Sequence, residues 1–383
     1  MEVVFLIGAI QALILTVLLF SKKDKILADR ILAVWLVFTA LMLFSYYAEL
    51  SGLDKKYPVI AFFAFSYGML YGAITFIYVY VLTKQKQKFH WHYLLHVIPY
   101  LFFTLVLYLK LRSHNNPIIT EAIVEIEDTG TPLMWAQTII NIFLGPVYML
   151  IALFMLRKHR YSIENNFSYT ENIDLRWLNN VILGAGLAWV VVIIMTLLSN
   201  YNEYLPSRIG DNIIFSTITL LVFFIGYFGL KQQVIYSVQP IKVDDSSIAN
   251  ENIEDESDSS KYKKSGLKPE ESDHYLNKLL KYMEDEKPYL DGKLSLKHVA
   301  STLGISTNYL SQVINENLQN NFFDFVNKYR IDLVKTKLKE NSNSNYTLLS
   351  LAYDCGFNSK SSFNSTFKKY TGLTPSQYLK STE

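Results

Sequence analysis

The 383-residue chain holds a single cysteine, Cys355. One thiol cannot form an intrachain disulfide, which fits a reducing compartment around the segment that carries it. An excess of charge of one sign is absent too: 36 Lys and Arg against 34 Asp and Glu leave +2. That small sum adds regions doing different jobs, so it identifies no partner. There is no G-x-x-x-x-G-K-[ST] loop, no H-E-x-x-H pair and no nucleotide fingerprint, and no carboxylate pair or nucleophile–base group can be assigned. These absences argue against an enzyme and call for no cofactor and no metal. The apolar start, MEVVFLIGAIQALILTVLLF, has no basic residues ahead of it; the positive charges follow in SKKDK. It therefore reads as a first membrane helix with its N-terminus outside, not as a cleaved signal. Dense intramembrane charge and duplicated broken helices, the marks of pumps and transporters, are also missing, which makes a sensor or an anchor the simpler reading.

What is present is unevenly spread. Half of the residues are hydrophobic, but most long apolar runs lie before about residue 236. Seven segments are long enough to cross a bilayer, at about 3–20, 31–48, 59–82, 93–110, 134–156, 178–198 and 213–230. The loops placed inside carry Lys22, Lys23, Lys25 and Arg30, then Lys84, Lys86 and Lys88, then Arg157, Lys158, Arg160 and Arg176. Those placed outside carry only Lys55 and Lys56, then Lys110 and Arg112, then Arg208. This bias leaves the C-terminus in the cytoplasm. The longest outside connection, about 111–132, contains Glu121, Glu125, Glu127 and Asp128; it is a solvated loop or a cover over an external ligand. His92 and His96 are four apart and would share one helical face, as packing residues or as half a metal site. Asn141 and Gly145–Pro146 interrupt the fifth segment and predict a kink. Gly184 and Gly186 predict close helix packing.

Residues 237–271 contain DDSS and ENIEDESDSS. So little apolar content cannot form a core and predicts an acidic flexible tether. From 272 the pattern changes again. Tyr275, Leu276, Leu279, Leu280 and Met283 mark an amphipathic helix. Leu296, Val299, Ala300 and Leu303 form the apolar face of another, Gly304 supplies a turn and Ser306 a cap. In the next helix Tyr309, Leu310, Val313 and Ile314 face the domain, while Thr307, Asn308, Ser311, Gln312 and Asn315 are left to meet base edges. A long helix follows, FFDFVNKYRIDLVKTKLKE, and then the plan repeats. Leu348, Leu351, Ala352 and Cys355 form a buried stripe, with Cys355 acting as a small hydrophobe. Gly356 and Phe357 make the turn, Ser359 caps, and Phe363 and Phe367 anchor a helix presenting Lys360, Ser361, Asn364, Ser365, Lys368 and Lys369. Gly372 closes it, and Thr374–Pro375 with Gln377 opens the last helix.

In this order, Leu296–Ala300, Ser306, Tyr309–Leu310, Tyr329–Arg330–Ile331, Leu351–Ala352, Gly356–Phe357, Phe363, Phe367–Lys368, Gly372, Thr374–Pro375 and Tyr378 make the region 272–383 resemble the DNA-binding domain of the arabinose-regulator (AraC/XylS) family. With the apolar half, the architecture resembles membrane-linked regulators of that type in Bacteroidetes-like bacteria. The resemblance implies two helix-turn-helix subdomains joined by the long helix around 322–339, with recognition helices at about 307–316 and 360–370. It matches Arg330 to the family's arginine in the linking helix, with either a structural role within the domain or base reading. The chain departs from the family pattern in carrying Asn320–Asn321 where a glycine is usual, and Leu379–Lys380 where an arginine is common.

The expected protein is thus all-α: a seven-helix transmembrane domain over 1–236, a linker over 237–271 and a cytoplasmic double helix-turn-helix domain over 272–383. It would sit in the bacterial inner membrane and bind double-stranded DNA as a transcription regulator, with lipid as its other partner. There is room for a small-molecule or peptide signal and for a homodimer. Two rivals are a tethered domain released by proteolysis within 240–270 and a transporter or membrane enzyme that uses the C-terminal domain for self-regulation.

Overall fold

The computed structural model describes residues 2–23, 25–64, 66–84, 88–113, 123, 131–171, 173–201, 207–236, 269–340 and 347–382. The linker 237–268, the acidic part of the loop after 113 and the Asn-rich spacer 341–346 lie outside the described residues. The chain is all-α, apart from one isolated antiparallel bridge between Phe167 and Ser295 among the described residues. It forms two compact units: Met1–Arg157 with Leu175–Val238, and Lys158–Asp174 with Gln239–Glu383.

In the first unit, α1 (Glu2–Ser21) lies along α2 (Leu27–Ser51). Six helices are long and apolar enough to cross a membrane: Glu2–Ser21, Leu27–Ser51, Trp91–Ser113, Trp135–Asn166, Arg176–Met195 and Ile209–Gly226. Their outward faces carry exposed aliphatic and aromatic side chains such as Ile7, Ile14, Leu150 and Phe154. Water would penalise such faces, whereas lipid would solvate them. The expected third span is not one helix. After the short α3 (Leu53–Lys56), it divides into α4 (Val59–Ala64) and α5 (Gly68–Thr83), and the backbone turns at Ser66–Tyr67. α5 has 16 residues, about 24 Å of helix against a hydrocarbon layer of about 30 Å. Gly68 lies so close to the Asn141 side chain that a Cβ there would collide with it.

Three further expectations need correction. His92 and His96 lie on a 3-10 helix, Trp91–Val97, where three residues make a turn, so a spacing of four no longer shares a face. His92 stacks beside His90, and His96 Nδ1 pairs with the Tyr148 hydroxyl at 2.7 Å. α6 (Ile98–Ser113) follows. The expected interruption at Gly145–Pro146 is absent: α7 (Pro132–Asn166) carries Pro146 inside one helix of 35 residues. Closer packing falls at Gly72 and Gly145, where a Cβ would meet Gly145 and Trp189 respectively; a Cβ at Gly184 would touch Leu221 at 3.4 Å, and Gly186 faces open space. Helices α8 (Arg176–Tyr201) and α9 (Ser207–Tyr236) complete the unit.

The second unit contains α10 (Pro269–Asp285), a 3-10 turn at Pro288–Leu290, α11 (Leu296–Leu303), α12 (Thr307–Leu318), α13 (Phe322–Glu340), α14 (Leu348–Asp354), α15 (Lys360–Thr371) and α16 (Pro375–Thr382). It has two cores that share α13. Phe322, Phe325 and Val326 pack with Leu279, Met283, Val299, Leu303 and Leu310. Further along the helix, Ile331, Val334 and Leu338 pack with Leu351, Ala352, Cys355, Phe363 and Phe367. A continuous helix therefore spaces two small helical pairs, α11–α12 and α14–α15, each with its own greasy interior.

Candidate nucleic-acid interface

Each pair is built by the same local chemistry. α11 starts at Ser295, whose hydroxyl accepts from His298 N, and ends at Gly304 with φ 67. Ser306 then caps α12 by accepting from Tyr309 N at 3.1 Å. In the second pair, Thr347 caps α14 through Ser350 N, and Ser359 caps α15 through Ser362 N at 3.1 Å. The intervening turn needs Gly356: its φ is 88, and a Cβ there would strike the Tyr289 carbonyl and press on Arg330 Nε. α15 closes at Gly372 with φ 77. Thr374 and Gln377 then make a reciprocal capping box, Thr374 N donating to Gln377 Oε1 at 3.0 Å and Gln377 N to Thr374 Oγ1 at 3.3 Å. Pro375 is buried at the head of α16.

On α12, Leu310, Val313 and Ile314 are buried, and Thr307 and Asn308 are exposed. Ser311 and Asn315 are half-buried and bonded to each other, Asn315 Nδ2 donating to Ser311 Oγ at 3.3 Å. Gln312 departs from the expected contact face. It is buried at 6% exposure and donates to Glu316 Oε2 at 3.0 Å. It shares the Tyr309 side of the helix, where Tyr309 stacks on Tyr275 of α10. The preceding amphipathic helix covers that side, leaving Thr307, Asn308, Ser311 and Asn315 as the outward strip. Glu316 is exposed and α12 carries no Lys or Arg, so this helix offers amide and hydroxyl groups rather than positive charge.

α15 is different. Phe363 and Phe367 are buried and meet edge to face at 5.6 Å. Ser361, Ser365 and Lys368 are exposed, with Asn364 half-buried between them at helical spacing. Lys360 is exposed at the first turn. Lys369 is already engaged, its Nζ 2.6 Å from Asp324 Oδ1 on α13. Tyr370 donates to the Asp324 carbonyl at 2.9 Å. Burial and the neighbouring Asp324 push that hydroxyl up from its usual range, so it remains a donor at neutral pH. Lys369 and Tyr370 together pin α15 to the linking helix.

Arg330 is the hub of the unit. It is 1% exposed. Its Nε donates to the Tyr289 carbonyl at 2.8 Å; Nη1 donates to Ser168 O at 2.9 Å and Asn327 Oδ1 at 3.1 Å; Nη2 donates to Ser168 Oγ at 2.9 Å and the Asp291 carbonyl at 2.8 Å. Phe357 lies beside the guanidinium, 5.8 Å from it to the ring centre. Burial pulls its pKa down to about 10, opposed by the Glu171 and Asp291 charges, so it stays a cation at neutral pH. The structural reading of Arg330 is therefore concrete: its fork holds the loop between α10 and α11 and the segment around Ser168. Ser168, Asn327 and Asp324 were not singled out from sequence. The left-handed residue before α13 is Gln319, at φ 52, one place ahead of the Asn320–Asn321 pair. Among the described residues no three His, Cys, Asp or Glu side chains converge as a metal site would require.

A helix-turn-helix domain family matches residues 299–381. The melibiose operon regulatory protein of Escherichia coli (strain K12) is 29% identical over 106 residues, 28% of this chain and 33% of that protein. An uncharacterized HTH-type transcriptional regulator of Staphylococcus aureus (strain COL) is 33% identical over 107 residues, 28% of this chain and 14% of that protein. The chain thus spans about a third or less of the length of these relatives. A solved protein of unknown function from Listeria innocua matches 27% of this chain and 94% of its own at 28% identity, with a TM-score of 0.25. The C-terminal unit therefore contains a helix-turn-helix region, and its likeness to helix-turn-helix regulators supports a non-enzymatic assignment. Together with the long apolar helices, this architecture is consistent with a membrane-linked regulator.

Proposed function

We propose that this chain is a membrane-embedded, sequence-specific DNA-binding transcription regulator of the AraC/XylS type, and that it couples an external or membrane signal to promoter binding. The observation that supports this reading is the pairing of two capped helical pairs on one long helix, each with a short polar outer strip over an apolar anchor. Thr307, Asn308, Ser311 and Asn315 on α12, and Ser361, Asn364, Ser365 and Lys368 on α15, are of the sizes and chemistries that reach base edges and phosphates. Lys360 supplies a further phosphate contact. Gln312 and Lys369 would act by positioning their helices.

The membrane half would make seven crossings, the short α5 being one of them, with the N-terminus outside and the C-terminal domain in the cytoplasm of a bacterial inner membrane. The basic residues of the inside loops support this orientation. So does the membership of Lys158–Asp174, the last turns of α7 and the start of its connection to α8, in the same compact unit as the C-terminal domain. Residues 237–271 would then be the acidic tether. A small-molecule or peptide signal acting on the bundle, and a homodimer on the promoter, complete the proposal. Electrophoretic mobility shift of the purified full-length protein with its own upstream promoter region tests it. A discrete complex that survives excess unrelated duplex supports the reading, and binding that is abolished equally by any competitor DNA refutes sequence specificity.

A further inference from the structure

The segment Phe167–Glu171 follows α7 and precedes α8, so it joins two of the long apolar helices, yet it belongs to the compact unit of the C-terminal domain. Its contacts span that domain from end to end. Phe167 bridges to Ser295, the cap of α11, and Ser168 N donates to Leu294 O at 3.0 Å. Ser168 then supplies two of the five acceptors of Arg330, through its carbonyl and its hydroxyl, and its carbonyl also accepts from Asn327 Nδ2 at 3.1 Å. Tyr169 and Thr170 are buried. Glu171 ends the run at the second helical pair, where Ser359 Oγ donates to its Oε1 at 3.1 Å.

Ser359 is the cap of α15, and that end of a helix attracts anions because its first amides have no helical partner. On a DNA-reading helix, the same end is where a backbone phosphate is held. In this structure the cap hydroxyl of that end is bonded to a carboxylate belonging to the chain itself. The grip is polar: the hub consists of hydrogen bonds from a cation to carbonyl and hydroxyl oxygens, all of which water could replace on release. It is also covalently tied, within a few residues on either side, to the helices that would sense the signal.

We propose that Phe167–Glu171 is an autoinhibitory clasp, seated on Arg330 through Ser168 and holding the Glu171 carboxylate at the cap of α15 in competition with DNA phosphate. Movement of α7 against α8 would withdraw Ser168 from Arg330 and lift Glu171 from Ser359, freeing the helix end. This rests on the DNA-binding reading of α15.

The test uses the full-length protein in nanodiscs and a fluorescein-labelled duplex of arbitrary sequence, whose binding reports phosphate contacts alone. Affinity is measured against salt for wild type, Glu171→Gln, Ser168→Ala, Glu164→Gln and Lys360→Glu. Glu171→Gln should bind roughly three- to tenfold tighter at low salt, with log K falling more steeply against log salt by about 1 for the gained phosphate. Ser168→Ala should shift in the same direction without any change of charge. Glu164 pairs with Arg160 in the last turns of α7, and its neutralisation controls for net charge alone. Equal affinity of Glu171→Gln with wild type, or with Glu164→Gln, overturns the clasp. If that happens while Lys360→Glu still weakens binding, the DNA-binding reading stands and only the clasp falls. Absence of binding by every variant overturns both.

Discussion

Replacing Arg330 with Met removes a cation but leaves its acceptors buried. Ser168 O keeps Asn327 Nδ2, and Asp291 O keeps Leu294 N at 3.2 Å. The Tyr289 carbonyl, Asn327 Oδ1 and the Ser168 hydroxyl lose the guanidinium. Stranding a buried neutral acceptor costs about 1–3 kcal/mol. Against this, the desolvation of the cation is relieved, a gain that can make apolar replacements of whole ion pairs neutral. Here the partners are largely backbone and cannot be replaced with it, so the loss should dominate, at about 3 kcal/mol. Cys355 supplies the assay. It is the sole thiol of the chain and is fully buried in the core that α13 shares with α14 and α15. Burial pushes it up to about 11, so it is inert until the domain opens. Maleimide labelling of the full-length protein in detergent therefore measures opening of this half directly. Arg330→Met should accelerate labelling by about a hundredfold, the equivalent of about 3 kcal/mol. Arg330→Lys should fall between the two, since one ammonium cannot span the Tyr289 and Ser168 oxygens together. A labelling rate for Arg330→Met within about threefold of wild type would refute the hub as a source of stability.

The same labelling assay checks two further substitutions. Gln319→Gly removes a side chain from a left-handed backbone position and should stabilise the domain by about 0.5–1 kcal/mol, seen as slower labelling. Phe363→Ala opens a cavity beside Phe357 and Phe367 and should cost about 3–5 kcal/mol, enough to leave the thiol freely reactive. On DNA, Lys368→Ala should weaken binding to all sequences alike and lower the salt slope by about 1, while Asn308→Ala should relax preference at individual base positions, as competition with single-base variants of the promoter would show.

The parts of this architecture that follow local rules were legible in the residues. Gly304, Gly356 and Gly372 mark left-handed turns because few other residues go there, and Ser306, Ser359 and Thr374–Gln377 cap helices by short-range bonds. The apolar stripes of α12 and α15 appear at helical spacing for the same reason. What depends on distant chain was not legible. The burial of Gln312 follows from α10 lying over its side of the helix, and the salt bridge of Lys369 from Asp324, 45 residues away. The seat of Ser168 on Arg330 spans 162 residues and joins a loop with no motif to a helix with one. The break at Ser66–Tyr67 is likewise hidden, because an apolar composition suits one long helix or two short ones equally well.

The central claim is sequence-specific DNA binding by a membrane-held protein. Genome-wide DNA occupancy of the tagged full-length chain, beside an Asn308→Ala, Asn364→Ala double variant, tests it most directly. The account predicts discrete promoter peaks for the native chain that vanish in the double variant while both proteins remain in the membrane fraction. An absence of peaks across growth conditions, or peaks unchanged by the double substitution, would contradict it.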